Sequence, residues 1–258
     1  MSTTRLVLHQ MRFDLKRFRR DPAGLFYGIG FPLIFLGVFL AITPEEQAHI
    51  AGRVLSNRPY YVAAIMTMTI ASVTFVNLAV SLTAARERGT LKRVRGTRLP
   101  PWAFMAGRIG VSIAVTVAVV IFVALLGWAV YGVRIPSSPL IGAFLALVVA
   151  VAAFCALAFA LTIAMPSASS CAAVAMTSTL VLYFLSGVFV REDNIPGSLR
   201  TFAGVFPVKR LFESLVIAFD PATTGAAVQW TDLAVVAAWG MGGVLIALRF
   251  FRWTPRNG

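Results

Sequence analysis

The block Arg86-Glu-Arg-Gly-Thr-Leu-Lys-Arg-Val-Arg-Gly-Thr-Arg-Leu-Pro100 sits between two long stretches without charge, residues 59–85 and 109–133. Each stretch exceeds the roughly 20 apolar residues that cross a bilayer core of about 30 Å. A short, arginine-crowded loop between two such segments reads as a cytoplasmic connection, because positive charge is retained on that side. The block therefore orients the whole chain, and it is where a soluble partner could grip it. With 59% hydrophobic and 13% charged residues and a mean hydropathy of +0.83, the chain reads as an integral membrane protein; soluble domains average about 25% charged residues. The formal charge of +13 raises nucleic acid as a partner. The cations cluster at the ends of apolar spans, however, and form no groove or basic helix face.

Six spans are expected in an all-α fold, at about 24–42, 60–85, 104–131, 139–164, 170–190 and 233–248. Residues 135–190 lack charge throughout, too long a run for one crossing. Pro136, Pro139 and the Met165-Pro-Ser-Ala-Ser-Ser170 turn divide it in two. Trp230 and Asp232 at one end of the last span, and Arg249, Phe250 and Arg252 at the other, resemble interface anchors. An even number of spans puts both termini on one side, and that side would carry sixteen basic residues against seven on the other. Both termini are then cytoplasmic, and the basic loop at 86–101 with them. Before the first span, Val7, Leu8, Met11, Leu15 and Phe18 recur at helical spacing opposite Arg5, Arg12, Lys16 and Arg19. Residues 1–21 thus suit a helix lying in the headgroup plane rather than a cleavable signal or a disordered tail. Residues 191–230 read as an outer hairpin of two short apolar helices broken at Pro207, each too short to cross, which would re-enter or lie on the outer surface.

Catalytic chemistry has little to work with. His9 and His49 fall on opposite sides of the membrane, which leaves no histidine metal site. Cys155 and Cys171 lie in or beside apolar runs and read as packing residues. No carboxylate pair is expected at membrane depth, so a proton-coupled transporter loses ground. None of the three lysines, Lys16, Lys92 and Lys209, follows glycine, so there is no phosphate-cradling Gly-Lys-Ser/Thr loop. The membrane-depth polar groups are hydroxyls and one amide. Thr67, Thr74, Asn77 and Ser81 share one face of the second span, and Thr179, Tyr183 and Ser186 share one face of the fifth. Two readings are open for them: glue between helices, or the wall of a substrate route. Gly24-x-x-x-Gly28 permits close helix approach but is a weak signal alone.

These residues resemble a permease subunit of the type-2 export class of ABC transporters, the group that contains daunorubicin-type drug efflux permeases. The loop after the second span is similar to that family's Glu-x-Gly-Thr-Leu-x-x-Leu-x-x-Thr-Pro-Leu block. Leu185-Ser-Gly-Val-Phe189, Pro196 and Phe206-Pro207 add to the likeness, which extends over essentially the whole chain. Arg98 stands where proline is usual, with prolines displaced to Pro100 and Pro101. The resemblance implies a permease without its own ATPase site or cofactor. It would pair with a second permease, identical or similar, and dock two ABC ATPase subunits that bind ATP and Mg. The coupling segment maps to Arg86, Glu87, Arg88, Gly89, Thr90, Leu91, Lys92 and Arg93, with Gly89 and Gly96 bracketing a short basic helix. The bland reading of these cations is orientation plus contact with anionic lipid. The cargo is expected to be a hydrophobic or amphipathic drug, antibiotic or lipid-like molecule. A cell-surface glycan is the alternative cargo, and a membrane-embedded lipid-modifying enzyme the alternative class. The expected location is the cytoplasmic membrane of a bacterium, the arginine-over-lysine bias pointing to a GC-rich source.

Overall fold

Asp21 and Pro22 open the first helix as helix chemistry requires. Asp21 Oδ1 accepts the Gly24 N–H at 3.1 Å, and Pro22 occupies a first-turn position where no N–H is needed. The computed structural model describes residues 11–12, 15–16, 19–42, 47–50, 53–89, 101–133, 139–191 and 195–250. Helix α1 (Pro22–Leu25) widens into a π-helical stretch, Phe26–Gly30, before α2 (Phe31–Ile42). Pro32 explains the widening, since it cannot donate to the carbonyl four residues back.

A two-stranded antiparallel hairpin, β1 (Gln47–Ile50) and β2 (Arg53–Ser56), follows, with Ile50 opposite Arg53. This departs from the all-α expectation. The second apolar segment is one helical run, α3 (Asn57–Ala71), a π-helical stretch Ser72–Asn77, and α4 (Leu78–Glu87). It takes the centre of the bundle: its residues are buried without break from Tyr60 to Ala71. Helices α2, α5 (Pro101–Tyr131), α6 (Leu140–Ala164), α7 (Ala168–Leu185) and α9 (Pro207–Phe219) all pack on that run.

Glycines and prolines set the remaining boundaries. Gly132, at φ +67°, ends α5. Ser167 caps α7, its Oγ accepting the Ser170 N–H at 3.1 Å. The fifth apolar helix stops at Leu185, short of the expected residue 190. Gly187, at φ +89°, turns the chain there, and a Cβ on it would lie 3.1 Å from the Phe212 ring. After the short α8 (Gly197–Ala203), Pro207 begins α9, so the two short helices divide close to that proline. Instead of lying on a surface, α9 packs inside the bundle against α3, α6 and α10 (Trp230–Phe250), burying Val208, Leu211, Phe212, Leu215 and Val216. Helix α10 exceeds the expected 233–248 at both ends and packs closely on α6. A Cβ on Gly240 would lie 2.9 Å from Ala153 Cα, and one on Gly243 2.8 Å from the Ala156 carbonyl carbon. Small residues let these backbones touch, the usual route to helix association in lipid.

Among the described residues, five helical runs are long and apolar enough to cross a bilayer: Asn57–Glu87, Met105–Val130, Leu140–Ala164, Ala168–Leu185 and Trp230–Arg249. Their outer faces leave Ile121, Phe122, Trp128, Phe144, Val181 and Leu245 exposed. So much apolar surface is incompatible with water and suited to hydrocarbon. The chain is a multi-pass membrane protein.

Candidate functional site

The end of α4 carries a buried arginine and an exposed glutamate that both reach the turn between α6 and α7. Arg86, only 8% exposed, donates from Nη1 to Thr162 O at 2.7 Å and from Nη2 to Met165 O, both at the C-terminal end of α6. A guanidinium suits that position because the last carbonyls of a helix lack intrahelical donors. Glu87 accepts the Ala168 N–H at 3.1 Å, at the opposite, N-terminal end of α7. Among the described residues it makes no ion pair with Arg88, which is exposed. Arg108, near the start of α5, donates to Ser81 Oγ at 2.8 Å. Gly89, at φ +66° with open space where a Cβ would stand, ends the described part of this segment. Thr90, Leu91, Lys92 and Arg93 lie outside the described residues, as does the expected amphipathic helix except for Met11, Arg12, Leu15, Lys16, Arg19 and Arg20. Met11 packs on α5 at Gly110, where a Cβ would lie 2.9 Å from its terminal methyl.

From the stripe on the fifth apolar segment, Tyr183 reaches the second. Tyr183 OH donates to Met68 O at 3.0 Å and lies 3.2 Å from Ser72 Oγ, a partner that sequence spacing did not single out. Thr67, Thr74 and Thr179 are buried, and each donates to the carbonyl four residues earlier, of Ala63, Ile70 and Ala175, at 2.9, 2.5 and 2.6 Å. Ser186 is buried with no partner for its Oγ among the described residues. Asn77, half-buried, donates from Nδ2 to Gly24 O at 3.1 Å and so ties the second apolar segment to the first. Ser81 donates to Leu78 O at 3.0 Å while accepting from Arg108. Within a single chain, these groups are thus turned toward its own backbone, the geometry of helix-to-helix bonding.

A charged cluster that sequence reading spread along an outer loop proves compact. Arg210 Nη1 lies 3.2 Å from both Glu213 Oε2 and Asp232 Oδ1, and its Nε donates to Gly204 O at 2.6 Å. Lys209 Nζ lies 3.5 Å from Glu213 Oε1, and Ser214 Oγ donates to Asp232 Oδ2 at 3.4 Å. Two cations and two anions thereby join α9 to the start of α10. The i,i+3 and i,i+4 spacing within 209–213 was legible in advance; the arrival of Asp232 depends on the packing of α10. On the same side, Tyr60 OH donates to Gly187 O and its ring meets Phe212 edge-on, and Trp239 Nε1 donates to Val205 O at 2.8 Å.

Long apolar helices around a buried central run, with a short helix inserted among them, define a polytopic membrane domain. The family described as "ABC-2 type transporter" matches residues 6–219, most of the chain, and the protein belongs to that family. It is a transporter permease, and the match runs from the N-terminal segment to the end of α9. A search of curated proteins finds no match.

Proposed function

We propose that this chain is the membrane subunit of an ATP-driven exporter for a hydrophobic or amphipathic molecule. In this reading it spans the membrane six times, the helical run 22–42 being the first crossing, and keeps both termini in the cytoplasm. It pairs with a second permease, identical or similar. Two separate ABC ATPase subunits bind ATP and Mg and dock on the loop 86–101, with Arg88, Gly89, Thr90, Leu91, Lys92 and Arg93 presented to them. Family membership carries the reading, together with the sequence of the basic loop. The substrate route runs beside the second and fifth spans. The outward face of α7, with Val174, Leu180, Val181 and Phe184 exposed, supplies an apolar wall, and the buried hydroxyls bond that wall to the second span. An apolar wall with few polar groups suits amphipathic cargo.

The test is reconstitution of the chain with the ABC ATPase encoded beside it, in proteoliposomes loaded with ethidium or a lipid-like dye. ATP-dependent movement of either probe is the expected result. Movement of a glycan carrier alone would replace the cargo class, and an absence of any ATPase partner would overturn the exporter reading. Topology is checked separately with a membrane-impermeant thiol reagent on intact cells: a cysteine at Asn194 should label and one at Asn257 should not. The reverse pattern refutes the assignment.

A further inference from the structure

The outer surface of α10 is mostly covered by long apolar side chains: Met241, Leu245 and Leu248 are 63%, 67% and 80% exposed. One strip of it is hollow. Trp239 and Ile246 share a helix face two turns apart, and the residues between them on that face are Gly242 and Gly243. Gly243 brings α10 onto the α6 backbone, while a Cβ on Gly242 would meet nothing within 4 Å. The missing side chains leave a groove of about 290 Å³ at the α6–α10 crossing, lined by Leu157, Ala238, Trp239, Gly242, Gly243 and Ile246. The Trp239 N–H is already spent on the Val205 carbonyl. Nothing in the lining therefore recruits water, and an occupant has to be apolar.

The size of the groove fits one hydrocarbon chain. At about 30 Å³ for a water-sized group, it holds roughly ten such groups, whereas a helix needs a channel about 10 Å wide. Arg249 is exposed and stands one turn past Ile246 on the same face. At 1.5 Å per residue it lies about 15 Å from Trp239 along the helix, half of a bilayer core of about 30 Å and so the depth of one leaflet. After Asp232 the sequence holds no acid, and its end carries Arg249, Arg252 and Arg256. A guanidinium has five N–H donors and meets phosphate through two of them at once, so an intrachain bond leaves others over. We propose that the groove holds one acyl chain of an anionic phospholipid from the leaflet bordering Arg249, with the chain end against Trp239 and the phosphate on Arg249. The lipid fills the gap that the glycines leave beside α6. The site needs neither ATPase nor cargo, so it stands apart from the exporter reading.

The experiment uses the full chain in phosphatidylcholine vesicles that carry an increasing share of a phospholipid brominated near its chain ends, because bromine quenches an indole that it touches. The contribution of Trp239 is the difference between the parent and Trp239→Phe. Brominated phosphatidylglycerol should half-quench that contribution at about a fivefold lower share than brominated phosphatidylcholine. Fivefold corresponds to the ~1 kcal/mol that one basic residue gains at an anionic lipid surface. Arg249→Gln should bring the two lipids level. Gly242→Leu, whose side chain enters open space, should keep the thermal midpoint and also abolish the preference. Equal quenching by the two lipids in the parent, or a preference that survives either substitution, overturns the site. An absence of Trp239 quenching by both lipids overturns it too, because protein, such as a second copy of the chain, then covers the groove. If Gly242→Leu does not fold, Arg249→Gln decides alone.

Discussion

Replacing Asp232 by leucine tests whether the α9 cluster holds the inserted helix on the last span. Asp232 receives Arg210 at 3.2 Å and Ser214 at 3.4 Å, and its side chain is 8% exposed. Breaking a fully buried ion pair from one side costs about 3–5 kcal/mol, because a charge is left without its counterpart. Here the stranded partner is better placed. The Arg210 side chain is 33% exposed and keeps Glu213 and the Gly204 carbonyl, so water and the remaining anion absorb part of the loss. Ser214 contributes little at its long distance. A cost of about 2 kcal/mol follows, between the fully buried value and the ~0–1 kcal/mol of an exposed pair. For a chain of this length that is a fall of about 4–8 °C in Tm. The assay is tryptophan-fluorescence melting of the purified chain in detergent, run as a double-mutant cycle with Arg210→Met. The paired variant should lose less than the sum of the single ones, with a coupling of about 1 kcal/mol. An unchanged Tm in Asp232→Leu, or strict additivity with Arg210→Met, would show that the contact does not hold α9 in place.

Three further outcomes follow from close contacts. Gly243→Val places its Cβ 2.8 Å from the Ala156 carbonyl carbon and should separate α6 from α10 at a cost of about 3 kcal/mol or more, whereas Gly242→Ala meets nothing within 4 Å and should melt like the parent; equal melting of the two would refute the crossing. Gly187→Ala forces a Cβ onto φ +89° beside Phe212 and should cost about 1–3 kcal/mol in the same assay, with no loss expected if the turn is freely adjustable. Asn77→Leu removes a single interhelical bond to Gly24 O and should cost only about 0.6 kcal/mol with an unaltered cargo profile; a changed profile at full stability would put Asn77 on the substrate route instead.

The sequence alone determined the class, because its information lies in lengths and charge. Uncharged runs longer than a bilayer is thick must cross it as helices, since hydrocarbon offers no partner for a free backbone group. The helices at 57–87, 101–131 and 140–164 therefore fall close to their expected bounds. Turn chemistry was equally local at Pro207, which starts α9, whereas the stop after Leu185 at Gly187 fell short of the expected residue 190. Only the tertiary structure could decide where polar side chains went. Arg86 and Glu87 looked like loop charges facing water, yet they end on α6 and α7 because the end of α4 packs against both. Thr67 and Thr179 share helix faces, but periodicity carries no information on whether a face meets cargo or another helix. Asp232 joined Arg210 across 22 positions only because α10 packs beside α9. Helix formation is settled within a turn or two, while the partner of a buried charge is chosen by which distant helices pack together.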